Sequence, residues 1–232
     1  MKATTRRTIE MSKRVLNFSR AHPNASAGYA AALSRLEQRL TRADQLAALQ
    51  QDGIDAARTA VAQKRNLRRR MRRTHLVHLA RVAEAGVAEV PDLAQKFVLT
   101  RDAVPYLAFR TAARAMLAEA QTHKEILIKY GLLDSVLESL AGALDQFDQA
   151  VEKEIDGRRV HVGASAELDI VAEELIQVVK LMDGTNHYRL ADDGNALAAW
   201  ESASNTFGPP RPAAVKPTPD APPPAGGQSS VA

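Results

Sequence analysis

The chain has 232 residues, 45% of them hydrophobic but only 4% aromatic, with no cysteine and a formal net charge of +4. The missing cysteine excludes disulfides, a thiolate nucleophile and any Cys-ligated zinc or iron–sulfur centre. Scarce aromatics beside abundant alanine and leucine point to helices packed through small and aliphatic side chains, not to a sandwich or barrel, so the expected fold class is all-α.

Residues 1–22 are basic yet hold no apolar run resembling a signal-peptide core. No window of about 18 uncharged apolar residues occurs anywhere, so a soluble cytoplasmic protein with no membrane segment is expected. Residues 5–20 place Ile9, Val15 and Leu16 on one side and Lys13, Arg14 and Arg20 on the other, which predicts a short amphipathic helix ending before Pro23. Ser26 is positioned to cap the next helix.

From Tyr29 to Ala85, steps of four and three land on Tyr29, Leu33, Leu36, Leu40, Ala43, Ala47, Gln50, Ile54, Ala57, Val61, Lys64, Arg68, Met71, His75, His78, Val82 and Ala85. That rhythm predicts one helix over about 27–85, roughly 85 Å long at 1.5 Å per residue. Asp52-Gly53 offers a competing reading, a turn that would split it in two. The rhythm crosses Gly53 in phase, however, and one helical glycine costs only about 1 kcal/mol relative to alanine. One short helical turn is expected near Asp92–Phe97, then a helix over 104–130 with Pro105 in its first turn and Gly131 at its stop.

Asp134 or Ser135 can cap a helix over 133–156, whose stripe of Leu133, Leu137, Leu140, Leu144, Phe147 and Val151 is the clearest in the chain. Gly157 and Gly163 suggest a loop over 157–164 before a helix over 165–183 closed by Gly184, although the same rhythm also runs through them as one long helix. A last helix over 194–204, capped by Asp193, carries the sole tryptophan, Trp200, as an anchor. Residues 208–232 hold eight prolines in 25 positions and read as a disordered proline-rich tail beyond a helical domain of residues 1–207.

Three places could carry chemistry. KRNLRRRMRR (64–73) has seven basic residues in ten, and Arg65, Arg69, Arg70, Arg72 and Arg73 spread over its outward side, a surface suited to phosphates. The competing reading is internal neutralisation by the acids of helix 133–156, among them Asp145, Asp148, Glu152 and Glu154. His75 and His78, one turn apart, could share a metal with His123 if its helix runs antiparallel alongside, although neither a Glu-x-x-His nor a His-Glu-x-x-His signature is present. Arg158 and Arg159, beside Gly157 and ahead of a helix start near Ser165, could receive an anion, or simply flank a kink. No phosphate loop, nucleophile elbow or dinucleotide fingerprint occurs, and no cofactor is expected.

The segments GLLDSVLESLAGALDQFDQA (131–150), GRRVHVGASAEL (157–168) and MDGTNHYRL (182–190) resemble those of an uncharacterised family of bacterial all-helical proteins. The resemblance covers much of residues 15–207. It implies a helical bundle in a bacterial cytoplasm and transfers no activity and no functional residue.

Together these features predict an elongated antiparallel bundle built on one very long helix. If helix 104–130 folds back along the later half of that helix, residues 27–57 and 165–183 overhang on opposite sides. Their apolar stripes would then be covered by self-association into a homo-oligomer. The corresponding function is a non-enzymatic scaffold or adaptor acting through protein–protein contacts; the alternative is a nucleic-acid-associated protein using residues 64–81.

Overall fold

The computed structural model describes residues 1–101 and 104–207. The proline-rich stretch 208–232 lies outside the described residues. Helix α1 spans Ala3–Ala21 and α2 spans Ala27–Arg70; α2 passes through a π-helical stretch, Met71–Leu76, into α3, Val77–Ala85. After a 3₁₀ turn come α4 (Leu93–Lys96), α5 (Tyr106–Thr122), α6 (Lys124–Lys129), α7 (Asp134–Arg189) and α8 (Gly194–Ser204). No strand occurs among the described residues, so the chain is all-α. No helix among them is long and apolar enough to cross a membrane.

Local chemistry explains most boundaries. The Ser26 hydroxyl accepts from the Tyr29 amide at 3.4 Å, and the Asp193 carboxylate accepts from the Ala196 amide at 3.0 Å. Gly131 adopts φ 100°, while its own amide closes on Ile128 O and the Leu132 amide on Leu127 O, a paired closure that ends α6. Two expected boundaries change. Helix 104–130 is interrupted at His123, giving α5 and α6. Helix α7 begins after Leu133 with no side-chain cap, and Asp134 instead pairs with Lys124 at 2.9 Å.

Residues 27–85 are continuously helical, and so are residues 134–189. The expected loop at 157–164 and the expected stop at Gly184 are therefore both absent. Gly53 and Gly157 face each other: a Cβ on Gly53 would stand 2.7 Å from His161 N, and one on Gly157 would stand 2.8 Å from both Ala57 N and Gly53 O. These glycines serve a close helix crossing, which explains why neither makes a turn.

Cross-helix partners fix the direction of α7. Tyr29 meets Asn186, Arg39 meets Glu174, Gln50 meets Ser165, Lys64 meets Glu154 and His75 meets Ser139, so α7 runs antiparallel to α2 and α3 along the whole rod. The direction of α5 reverses the expectation. Arg68 donates to Val104 O beside the start of α5, whereas Glu89, just past α3, pairs with Lys129 in α6. Helix α5 thus runs parallel to the later half of the long helix. Residues 27–57 and 165–183 consequently cover one another, assisted by α1 and α8. Self-association no longer follows from overhanging ends.

Two separate cores result. One joins α1, the first part of α2, the last part of α7 and α8 around Val15, Leu36, Leu175 and Trp200. Trp200 is fully buried; its indole NH donates to Asp183 Oδ1 at 2.7 Å and its ring meets Phe18 edge-on. The other joins the far end of α2, the π stretch, α3 to α6 and the start of α7 around Met71, Leu79, Phe109 and Phe147. Met71 and Leu76 are both buried although five residues apart, a spacing that matches the i→i+5 repeat of the π stretch.

Lys64 stands where the two-helix waist enters the second core. Its ammonium pairs with Glu154 and lies 4.8 Å from the Tyr106 ring centroid, and both charged side chains are nearly buried. The hydrogen bond from Lys64 holds the Glu154 carboxyl below the usual carboxylate range, overcoming the opposing effect of burial, and Arg158 adds to the lowering.

The glycine crossing and the Lys64–Glu154 pair can each be tested by urea denaturation. Gly53→Ala or Gly157→Ala should destabilise the protein by about 1–2 kcal/mol, because forcing the backbones apart outweighs the gain in helix propensity. Gly163→Ala, with nothing within 4 Å of its added Cβ, should instead stabilise by about 0.5–1 kcal/mol. Lys64→Met should cost about 2–3 kcal/mol, less than for a fully isolated buried charge because Arg158 still reaches Glu154, and adding Glu154→Leu should recover most of that loss. Because Glu154 titrates lower when folded, its contribution is complete above the unfolded carboxylate pKa of about 4.3 and is lost as pH falls through the folded value. The double variant should therefore lose less stability on acidification than wild type.

Candidate functional site

The basic segment at the end of α2 is an amphipathic face with arginines on its solvent side. Positions i, i+3, i+4, i+7 and i+8 share one face of a helix, and here they are Arg65, Arg68, Arg69, Arg72 and Arg73. With Tyr106 they line a concavity of about 380 Å³. Arg68 and Arg72 build its wall. Arg68 donates to Val104 O at 2.8 Å and lies over the Tyr106 and Phe109 rings, while Arg72 donates to Thr100 O. Both thereby tie the segment before α5 to the long helix.

Arg65, Arg69 and Arg73 are exposed, and none meets a carboxylate among the described residues. They follow each other at four-residue steps, about 6 Å apart along the axis. Arg70, expected in the same set, lies on another side of the helix, beside Asn66 and Gln146. Arg68, absent from that set, belongs to the concavity; the spacing i, i+3, i+4 was the signal for it. Tyr106, far away in sequence, carried no such signal.

The acids of α7 do not neutralise this face. Asp148 pairs with Arg110 and Arg114 of α5, Asp134 with Lys124, Asp156 with Arg159 and Glu154 with Lys64 and Arg158. Lys64 alone of the basic run reaches an acid of α7 among the described residues. Among the described residues, the matching expected between this run and the acids of helix 133–156 is that one pair.

The second anion candidate is not assembled. Ser165 lies mid-helix, where its hydroxyl donates to His161 O at 2.7 Å and accepts from Gln50 at 2.6 Å, so no helix start offers free amides there. Arg158 and Arg159 instead make exposed ion pairs on their own helix, with Glu154 at 2.6 Å and Asp156 at 3.0 Å.

The three histidines do not converge either. His75 is buried between Thr74, whose hydroxyl is 2.8 Å from Nδ1, and Ser139, whose hydroxyl is 2.9 Å from Nε2. Burial, reinforced by the charge of Arg70, lowers its pKa below the ordinary histidine value, favouring the neutral ring. His78 is half-buried one turn on. His123 sits at the α5–α6 junction beside Lys96 and Glu119, because α5 runs parallel to the long helix and carries it towards the Gly86 end. Among the described residues no group of three or more His, Cys, Asp or Glu is placed to hold a metal.

The arginine face is thus the one sequence candidate whose residues the fold gathers. Compared with family models, with curated proteins and with solved structures, the chain matches none, so nothing is transferable from a relative and the site is read from its own residues.

Proposed function

We propose that this protein is a non-enzymatic helical scaffold that docks on the phosphate backbone of nucleic acid through the arginine face of residues 65–73. The observation carrying this reading is the row Arg65, Arg69 and Arg73: exposed, without a carboxylate partner among the described residues, and set in a concavity. Guanidinium groups form paired hydrogen bonds to phosphate oxygens and hold their charge at any physiological pH. Each phosphate they neutralise releases condensed counterions, which favours binding whatever the base sequence.

The rest of the fold supports a holding role. A four-helix core at one end and a multi-helix core at the other share two continuous helices, so the arginine face sits on a braced surface. The lobe formed by α1, α8 and the far halves of α2 and α7 carries none of these arginines.

Fluorescence anisotropy with a labelled mixed-sequence oligonucleotide tests the reading. Wild type should bind with an affinity that falls as salt rises, with a log–log slope of about −2 to −3 for three neutralised phosphates. Arg65→Glu, Arg69→Glu, Arg73→Glu should abolish binding. Arg7→Glu, Arg35→Glu, Lys180→Glu changes net charge equally at exposed positions in the other lobe and should leave most of it. Equal weak retention by wild type and the first triple variant would remove nucleic acid as the ligand.

A further inference from the structure

One side of the α2–α7 pair is left open at the waist. The Met1 amine donates to Gln50 Oε1 at 3.1 Å and Lys64 lies over the Tyr106 ring, so α1 reaches only one end of the waist and α5 begins at the other. Along this stretch two concavities of about 510 and 530 Å³ lie end to end, joined through Thr59 and Gln63, which line both. Every residue lining them belongs to α2 or α7. The floor is small or apolar, with Gly53, Ala60, Leu67 and Gly157 buried and Val160 exposed on the α7 wall.

The α2 wall of this groove has a rhythm of its own. Steps of four and three give Asp52, Ala56, Thr59, Gln63, Asn66 and Arg70, a stripe separate from the seam that faces α7. Asp52 and Arg70 close its two ends with opposite charges. Eighteen residues are five full helical turns, so the two side chains leave α2 along one line, about 27 Å apart. Both are exposed, and neither has an ion-pair partner among the described residues.

We propose that a second copy of this chain docks in the groove, its α2 antiparallel to the first about a two-fold axis midway between Thr59 and Gln63. The stripe is self-complementary about that point. Turned end for end, Asp52 of each copy meets Arg70 of the other, while Ala56 faces Asn66 and Thr59 faces Gln63, a smaller side chain opposite a longer one each time. On the α7 wall Lys153 and Asp156 stand one turn apart, which brings Lys153 of each copy within reach of Asp156 of the other. An isologous contact requires a pattern that matches its own reversal, and a second copy supplies it by symmetry. The waist, two helices thick in one copy, becomes a four-helix layer in the dimer.

A contact about 27 Å long and two helices wide buries about 1,000 Å² in total, the low end for specific dimers, so dissociation in the micromolar range is expected. Arg65, Arg69 and Arg73 line the other concavity and share no residue with this groove, so the dimer carries two arginine faces and the proposal stands apart from the nucleic-acid reading.

Sedimentation velocity on the full chain, from about 5 to 200 µM, should show the mass rising from one chain to two. Asp52→Arg and Arg70→Asp should each stay at the mass of one chain over that range, because each sets like charges opposite one another at both ends. Circular dichroism should show unchanged helicity, since both side chains are exposed. Mixed in equal amounts, the two variants should form a heterodimer, in which every end contact again joins opposite charges. Wild type at one-chain mass throughout overturns the proposal and leaves the groove to residues 208–232 or to a foreign helix. A dimer that either reversal leaves intact, or that the mixture does not restore, overturns the assignment to this groove.

Discussion

The whole molecule depends on how closely α2 and α7 approach at Gly53 and Gly157. Each glycine leaves room only for the backbone of the other helix, with Gly53 O and Gly157 O in the space that side chains would occupy. Backbones this close bring their contacting atoms within dispersion range along both helices, and they set the register in which everything else pairs. From this crossing, Gln50 meets Ser165 on one side and Lys64 meets Glu154 on the other. A one-turn slip would push a side chain into the crossing and bury Lys64 without its carboxylate. Register is therefore specified by a steric fit at the waist and by a charge that cannot be left alone beside it.

Around that crossing the charges are sorted by helix. Near the start of α7, Asp148 pairs with α5, Asp134 with α6 and Glu154 with Lys64. Arg39 and Arg42 of α2 pair with Glu174 and Glu167 of α7, whereas Arg65, Arg68, Arg69, Arg72 and Arg73 line the concavity beside the segment that leads into α5. Two of them hold that segment by its carbonyls, and three are left towards solvent. A basic run that looked like half of a salt-bridge network with α7 is thus oriented so that, among the described residues, only its first residue, Lys64, meets an acid of that helix.

The long-range helical rhythm was legible because it repeats: the seam from Tyr29 to Val82 identified a continuous helix, and the Ser26 and Asp193 caps and the Trp200 anchor each had a local chemical signature. What was not legible has a common cause, since it depends on the partner across the interface. Gly53 reads as a turn and Gly157 as a kink until each is seen opposite the other. Arg158 and Arg159 read as an anion site only if a helix begins near Ser165, and the crossing keeps that stretch helical instead. The direction of α5 turns on the connector 86–105, whose proline and short turns say that the chain bends but not how far it travels back along the rod. That single uncertainty produced both the unfulfilled His75–His78–His123 cluster and the expectation of overhanging ends.

The arginine face was half legible, and the missing half shows how core packing shapes it. In an unbroken α-helix, residues eight apart are rotated by about 80°, so Arg73 would stand well off the line of Arg65. The π stretch beginning at Met71 turns less per residue than an α-helix, and it lets Met71 and Leu76 both face the core. The same slower rotation swings Arg73 back towards Arg65 and Arg69, within reach of one concavity. An adjustment made on the buried side of the helix, to seat two large apolar residues, therefore aligns three guanidinium groups on the exposed side. The packing of the second core and the shape of the candidate site are two faces of one local distortion.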